Sequence, residues 1–551
     1  MSRYFTKTLA SLEPYTPGEQ LKIADLVKLN ANENPYPPAP GVAAAVAAAV
    51  PGLRLYSDLS NRALNEAIAA HWGVQPENIL CGNGSDENLL LALRAFCDES
   101  TPLAFADVTY SFYTVLCDLL HIPQHIIPLE ADLTIDLKKY CGLHETIVIA
   151  NPNAPTSLLA PVAAIEEVLK TNPDNIVIVD ETYVEFAPAG SSCLPLLEKY
   201  DNLVITHTFS KTHNLAGARL GFCIARPELI ADMNRVKFSY SPYNVNSMTQ
   251  AAGVAAISDE AYFADVTAKV IAERTHTTAE LRRRGFTPAS IRNFCDRIGV
   301  AKSASVVEYS FLEHCLREDL NEKAERTMGV LHPVKLVITN YPEGKSETVT
   351  VENNPTDPAS GTHEITFSRE CWIEADDFME VPVPKYKRLT PNGPECRLKG
   401  AYLITCTGCK KDENGNVVEV YAEYDPNSPG GDPADGRKVK GATIHWVDAA
   451  TALDAEVRVY SELFSDPAPD GADKDFLACM NPDSLEVLSG CKVEPRMRDI
   501  AAAYDKTEKK GKTAPSFQFM RLGYFCLDNK DCSEDHLVFN RSVTLKDSFK
   551  K

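Results

Sequence analysis

Residues 1–280 alternate between two kinds of hydrophobic pattern. IVIA (147–150), IVIVD (176–180), LVIT (203–206) and LGFCIA (220–225) are short unbroken apolar runs, as buried strands are. Between them lie segments such as PVAAIEEVLK (161–170), apolar at helical spacing. This alternation predicts an α/β layer with a mostly parallel sheet, whose ligands bind beyond the carboxyl ends of the strands. VAAAVAAAV (42–50) is too short to span a bilayer and ends at Pro51, so it predicts a helix. After residue 281 the pattern changes. Residues 288–330 are apolar at helical spacing between charges. Beyond His332-Pro333 come short strands and frequent turns: VKLVITNY (334–341), CWIEADDF (371–378), CRLKGAYLIT (396–405), VVEVYAEY (417–424), ATIHWV (442–447), AEVRVY (455–460) and YFCLD (524–528). Pro, Gly, Asp and Asn fill the loops at 425–436 and 465–474. Such spacing predicts β-barrels.

Length and composition set the frame. A chain of 551 residues holds roughly three or four domains. Hydrophobic content of 44% with 24% charged residues is that of folded globular protein. The net charge of −21 is shared by both halves, which argues against general nucleic-acid binding and leaves room for local basic patches. The N-terminus, MSRYFTKTLASLEP, has no signal-peptide core, and no run is long enough for a membrane span, so a cytoplasmic protein without membrane contact is expected. The 16 scattered cysteines read as buried thiols. Cys406 and Cys409 form a CxxC before the turn KKDENGN; with no second ligand pair nearby they read as a hairpin feature, and no metal is expected.

The candidate chemistry of the first half centres on HTFSKTHNLAGARLGF (207–222). Lys211 follows a buried strand and is surrounded by small residues. Desolvation there would lower its pKa and supply the neutral amine that attacks a carbonyl. Alone, a Ser-Lys pair reads as a solvated loop. Asp180 closes IVIVD at a strand end, where an anion can pair with a protonated ring nitrogen, or simply serve as a turn residue. Tyr183 follows it. CGNGSDENLLLALRAF (81–96) opens a helix with Gly84, Ser85 and Asp86 at its N-terminus, a phosphate site or an ordinary cap. Glu87 stands where a dinucleotide fingerprint needs its third glycine. Tyr110, after AFAD, is placed to stack on a planar group or to join the core.

Together LNANENPYPP (29–38), LYSDLSNRAL (55–64), GNGSDEN (82–88), TYSFY (109–113), ANPNAPT (150–156), VDETYVEF (179–186) and TFSKTHNLAGARLGF (208–222) resemble the histidinol-phosphate aminotransferases over about residues 5–285. The resemblance implies an α/β fold-type-I transferase large domain binding pyridoxal 5'-phosphate, in a homodimer. Such enzymes move an amino group between glutamate/2-oxoglutarate and histidinol phosphate/imidazole-acetol phosphate. It implies Lys211 as the Schiff-base lysine and general base, Asp180 as the pyridine-nitrogen partner, and Tyr183 as the donor to the phenolic oxygen. Tyr110 would be the stacking ring. Ser210, Arg219 and the Gly84–Ser85–Asp86 turn would form the phosphate cup, to which a neighbouring subunit adds Tyr56. Ala154 stands directly before Pro-Thr, where many relatives have Asn, so Asn153 is the candidate for that ring contact. Ser157 follows Thr156 where relatives often have Gly. The resemblance stops near LRRRGFT (281–287), before the part of the small domain whose arginine grips the substrate carboxylate. Impaired transamination is therefore expected.

In the second half, Lys385, Lys387, Arg388, Arg397 and Lys399 cluster around Tyr386, and Arg437, Lys438 and Lys440 form a second group. Interleaved aromatic and basic residues suit single-stranded RNA, or a solvated strand face. RRRGFTPASIRNFCDRIGV (282–300), PVKLVITNYPE (333–343), YKRL (386–389), DPADGRKVKGATIHWV (432–447), EVRVYSELF (456–464), FLACMNPDSLEVLSG (476–490) and FQFMRLGYFCLDN (517–529) resemble the C-terminal half of glutaminyl-tRNA synthetase. The resemblance implies a small helical subdomain and two β-barrels reading a glutamine tRNA anticodon. Lys387, Arg388, Arg397, Gln518 and Arg521 would be in contact with the RNA. HIGH-type and KMSKS-type sequences are not found, so aminoacylation is not expected. The domains expected are 1–285, 286–332 and 333–551. LRRRGFT fits both families. Two unrelated sequences meeting inside a shared short string is what recombination, deliberate splicing or an assembly error would leave.

Overall fold

The structure is a computed structural model describing residues 12–13, 31–298, 307–466, 475–504 and 514–546. Most of the N-terminal segment, residues 29–30 and 299–300 of the motifs above, and most of the 465–474 loop lie outside the described residues. The chain divides into two compact units, Met1–Thr275 and His276–Lys551.

The first unit is built on one sheet of β1 (Ile79–Gly82), β2 (Leu103–Ala106), β3 (Gln124–Ile127), β4 (Thr146–Ala150), β5 (Val177–Asp180), β6 (Leu203–Thr208) and β7 (Gly221–Ala225). Their order is β1-β7-β6-β5-β4-β2-β3. β7 runs antiparallel to both neighbours, and the remaining pairs are parallel. The central strands are apolar throughout because both faces are covered. Ile147, Ile149, Val177, Val179, Leu203 and Ile205 enter one core. The alternate residues Val148, Ile178 and Val204 enter the other. The helices are α1 (Gly41–Ala49), α2 (Arg62–Trp72), α3 (Gly84–Phe96), α4 (Phe112–Leu120), α5 (Val162–Thr171), α6 (Pro227–Tyr240), α7 (Ser247–Ile257) and α8 (Glu260–Arg283), whose residues from His276 onward belong to the second unit. Ile165 and Val168 of α5 pack on the first face, and Leu89 and Leu93 of α3 on the second.

Among the described residues the second unit carries three further α-helices, Pro288–Ile298, Tyr309–Lys323 and Arg496–Ala503, two seven-stranded sheets, and a two-stranded sheet of Ser346–Glu352 with Thr362–Ser368. In each seven-stranded sheet the two edge strands are consecutive in the chain. Thr443–Ile444 and Val447–Asp448 flank one sheet, with only His445 and Trp446 between them; Glu325–Thr327 and Gly329–Val330 flank the other, with only Met328 between them. One short run of chain therefore borders both edges, and each sheet curls into a barrel without a long open edge. Buried glutamates satisfy the backbone at these crossings. Glu494 accepts from the Met328 N–H (2.6 Å), and Glu374 from those of Leu331 (2.6 Å) and His332 (3.1 Å).

Two expected strands are each two. CRLKGAYLIT folds as Cys396–Leu398 and Leu403–Lys411 around Gly400, whose φ of 74° bends the chain. ATIHWV supplies both barrel edges named above. Cys406 and Cys409 lie on the strand entering the Asp412–Asn416 turn. Among the described residues no group of His, Cys, Asp and Glu is placed to hold a metal, no disulfide links the cysteines, and no helix is long and apolar enough to cross a membrane.

Candidate functional site

The carboxyl ends of β5 and β6 open into a cavity of about 400 Å³. Asp180, the last residue of β5, is buried on its floor. Its carboxylate accepts from the Tyr113 hydroxyl (2.7 Å), the Thr182 N–H (3.1 Å) and the Thr182 hydroxyl (2.7 Å), all neutral donors. Burial raises its pKa in spite of these bonds, as it must for a carboxylate with so little water around it. Burial and the nearby Asp180 together hold the Tyr113 hydroxyl protonated far above its usual range.

β6 and β7 form an antiparallel pair whose connection folds back across the cavity. The Phe209 N–H donates to Leu220 (3.0 Å) and the Leu215 N–H to Phe209 (3.1 Å). This places Ser210 and Lys211 on the cavity wall. The Lys211 Nζ donates to the Ala31 carbonyl (3.0 Å) and lies 5.9 Å from the Tyr183 ring centroid. Asn32 donates to the Tyr183 hydroxyl (3.1 Å) and Asn34 to the Lys211 carbonyl (3.0 Å), and Ala31 and Asn32 line the same cavity.

The N-terminus of α3 meets Arg219 at the far end. Arg219 adopts a φ of 54° and donates to Asp86 (2.7 Å), which also accepts from the Tyr110 hydroxyl (3.0 Å). Asp86 is thus an anchor for these two groups rather than a helix cap; the capping position is Asn83, whose side chain caps nothing. Close approach here needs glycine. A Cβ on Gly84 would fall 2.5 Å from Arg219 Nη2, and one on Gly221 would fall 2.4 Å from the Ser85 nitrogen.

Ser85, Asp86, Tyr110, Asp180, Tyr183, Ser210, Lys211 and Arg219 therefore line one cavity. Three expected residues, Gly84, Asn153 and Tyr56, are not among its lining. Asn153 is buried below the wall; its amide donates to Val108 (3.0 Å) and Thr156 (3.0 Å) and accepts from Thr109 (2.8 Å), which ties the loop together. Tyr56 is 82% exposed and stacks on Tyr243 with centroids 4.6 Å apart. Tyr113, Thr182 and Asn32 were not anticipated, although Tyr113 lies within TYSFY, one helical turn beyond Tyr110.

In the second unit, Gln518 and Arg521 line a cavity of about 410 Å³ with Arg326, Lys399 and His445. Arg521 grips Asp377 with both Nη atoms (2.6 and 2.8 Å), and Arg388 reaches the same carboxylate at 3.3 Å. Arg397 donates to the Gly431 carbonyl (2.8 Å) and Lys387 is exposed. The expected basic stripe is thus divided: Lys399 opens to the cavity, whereas Lys387, Arg388 and Arg397 lie outside its lining. Arg437 is held by Glu395, Asp425 and Asp435, which neutralise the second basic group at its centre.

Residues 24–293 match the family model for aminotransferase class I and II. Residues 324–425 and 443–528 match two models for the anti-codon binding domain of class I tRNA synthetases (E and Q). Models of two different families thus match this chain. The first unit has the mostly parallel sheet of the fold-type-I aminotransferase class, and the curled sheets of the second match anticodon-binding domains. The aminotransferase match runs past residue 285 to 293, through the string common to both halves. Glutamine–tRNA ligases of Vibrio vulnificus and Clostridium kluyveri are each 51% identical over 278 residues, 50% of this chain and 47% and 48% of theirs. The chain spans about half the length of these curated relatives. Among solved structures, the histidinol-phosphate aminotransferase of Sinorhizobium meliloti is similar at 26% identity over 46% of this chain and 68% of its own, with a TM-score of 0.41.

Proposed function

We propose that the first unit is a pyridoxal-phosphate-dependent aminotransferase of histidinol-phosphate type, impaired in turnover, and that the barrels bind the anticodon of a glutamine tRNA. The observation that carries the first part is the single cavity joining a lysine, a buried carboxylate and an arginine-backed helix N-terminus. These residues fit the cofactor: Gly84 and Gly221 leave the space in which backbone and Arg219 approach one another, and Asp180 is a desolvated carboxylate that a cation would satisfy. Ser210, Arg219 and the first N–H groups of α3 would hold its phosphate. Tyr110 would cover its ring, and Tyr183 would donate to its phenolic oxygen. When bound, the cofactor supplies an electron sink for charge left at the substrate carbon. Asp180 would hold the matching positive charge at the ring nitrogen. Lys211 would hold the cofactor through its amine, and would take and return the proton at the substrate carbon. Tyr56, exposed beside Tyr243, would serve the phosphate of a second copy of the chain, in a homodimer acting in histidine biosynthesis.

Transamination between histidinol phosphate and 2-oxoglutarate tests this. Slow turnover that disappears in Lys211→Ala is expected; turnover at the rate of an intact aminotransferase contradicts the impairment. The second reading is that only RNA binding persists and the first unit is inert. It draws on the cavity that gathers Gln518, Arg521, Arg326 and Lys399. Filter binding with glutamine tRNA and an anticodon-substituted control checks it, and equal affinity for both RNAs contradicts anticodon recognition.

A further inference from the structure

A second chamber of about 550 Å³ adjoins the first, within the range small-molecule sites occupy. Both are lined by Asn32, Pro152, Tyr183 and Lys211, so Lys211 stands where they meet. Their chemistry differs. The first gathers the groups suited to a phosphate and a ring nitrogen. The second is walled by Pro35, Leu159, Phe186, Pro188 and Val270, with Glu33 as the carboxylate on its lining. Val270 and Arg274 are four residues apart on α8 and so share one helix face, turned toward this chamber. Arg274 is the one cation besides Lys211 among the lining residues. Its Nη1 donates to the Phe186 carbonyl at 3.0 Å, which ties the guanidinium to another residue of the lining. A guanidinium presents its N–H donors as a planar fork matched to carboxylate or phosphate.

We propose that Arg274 anchors the acidic head of the amine substrate, and that this chamber takes a substrate carrying one anion, carboxylate or phosphate monoester, on a flat or apolar frame. The assignment rests on Lys211 being the reacting amine, since the chamber gains its meaning from where Lys211 stands. It also supplies an anionic contact from α8 itself, independent of the small-domain arginine that the resemblance leaves out.

Calorimetric titration of the full chain loaded with pyridoxal phosphate tests the proposal, with phenyl phosphate, phenylacetate and benzyl alcohol as probes. An anionic probe is expected to bind about tenfold or more tighter than the neutral alcohol, the value of one charge-assisted contact. Arg274→Gln removes that advantage, and Arg274→Lys keeps part of it. The tighter of the two anions identifies the head group. Unchanged anion affinity in Arg274→Gln, or anions bound no better than benzyl alcohol, overturns the proposal. Should the chain take up no pyridoxal phosphate, the reading of Lys211 fails. The same titration with inorganic phosphate saturating the Ser210–Arg219 end then still decides the role of Arg274. Circular dichroism of both variants reports folding independently.

Discussion

Asp180 and Glu181 are adjacent, both buried, and turned to different tasks. Asp180 faces the cavity. Glu181 accepts from the Ser192 hydroxyl (2.7 Å) and the Cys193 N–H (2.6 Å), and lies 3.6 Å from His207 Nε2. Burial pushes the Glu181 carboxyl up to about 7 from its ordinary 4.5. Burial likewise drives His207 and His213 down to about 3, so both rings are neutral. The raised carboxyl favours the fold in its protonated form. That contribution is complete below pH 4.5 and is lost as pH rises through about 7. Glu181→Gln keeps an acceptor for Cys193 and brings a donor toward His207, whose Nε2 has no hydrogen-bond partner. Its stability relative to the native chain should therefore rise between pH 5 and pH 8, by up to about 3 kcal/mol, in urea titrations at the two values. A constant difference contradicts this. Asp180→Asn should weaken pyridoxal phosphate uptake about tenfold or more, through loss of a charged contact, as followed by equilibrium dialysis. Lys211, Asp180, Tyr110 and Arg219 were legible because their motifs set residue types at strand ends. Tyr113 was not, because an aromatic on an amphipathic helix reads as core, and its hydroxyl partner is 67 residues away. The place of Asn153 in its loop suggested the cofactor; its amide is engaged by the Val108 carbonyl and the Thr109 and Thr156 hydroxyls.

Among elements, the meeting of α3 with β7 gives the site its shape. Adding a methyl at Gly221 sets a Cβ 2.4 Å from one backbone atom of α3 and 2.5 Å from another, and backbone yields less readily than a flexible side chain. Gly221→Ala should cost about 1–3 kcal/mol in denaturant titration and loosen phosphate binding at the same time. In the barrels, Glu494→Ala leaves the buried Met328 N–H at the barrel crossing without its acceptor. A loss of about 1–3 kcal/mol is expected, with Glu494→Gln retaining most of it. The buried parallel strands were legible because both faces are apolar. The hairpin Ser346–Glu352 with Thr362–Ser368 was not, since SETVTVE buries only Val349 and Val351 and reads as polar chain. Barrel closure was also hidden: ATIHWV resembles one strand, and only pairing across the sheet divides it.

At the scale of the molecule, two units with separate cores match different families within one acidic chain. A ligand stabilises the fold it binds through mass action, by about 2.7 kcal/mol at a hundred times its Kd. Pyridoxal phosphate should therefore raise the melting of the first unit, and glutamine tRNA that of the second, in scanning calorimetry. The periodicity of the sequence changes near residue 281, and the compact units divide between Thr275 and His276. The measurement that bears most directly on the whole account is covalent. The chain is incubated with pyridoxal phosphate, reduced with borohydride, digested and mapped by mass spectrometry. The account requires the pyridoxyl group on the peptide containing Lys211; a label on other lysines, or none, contradicts it.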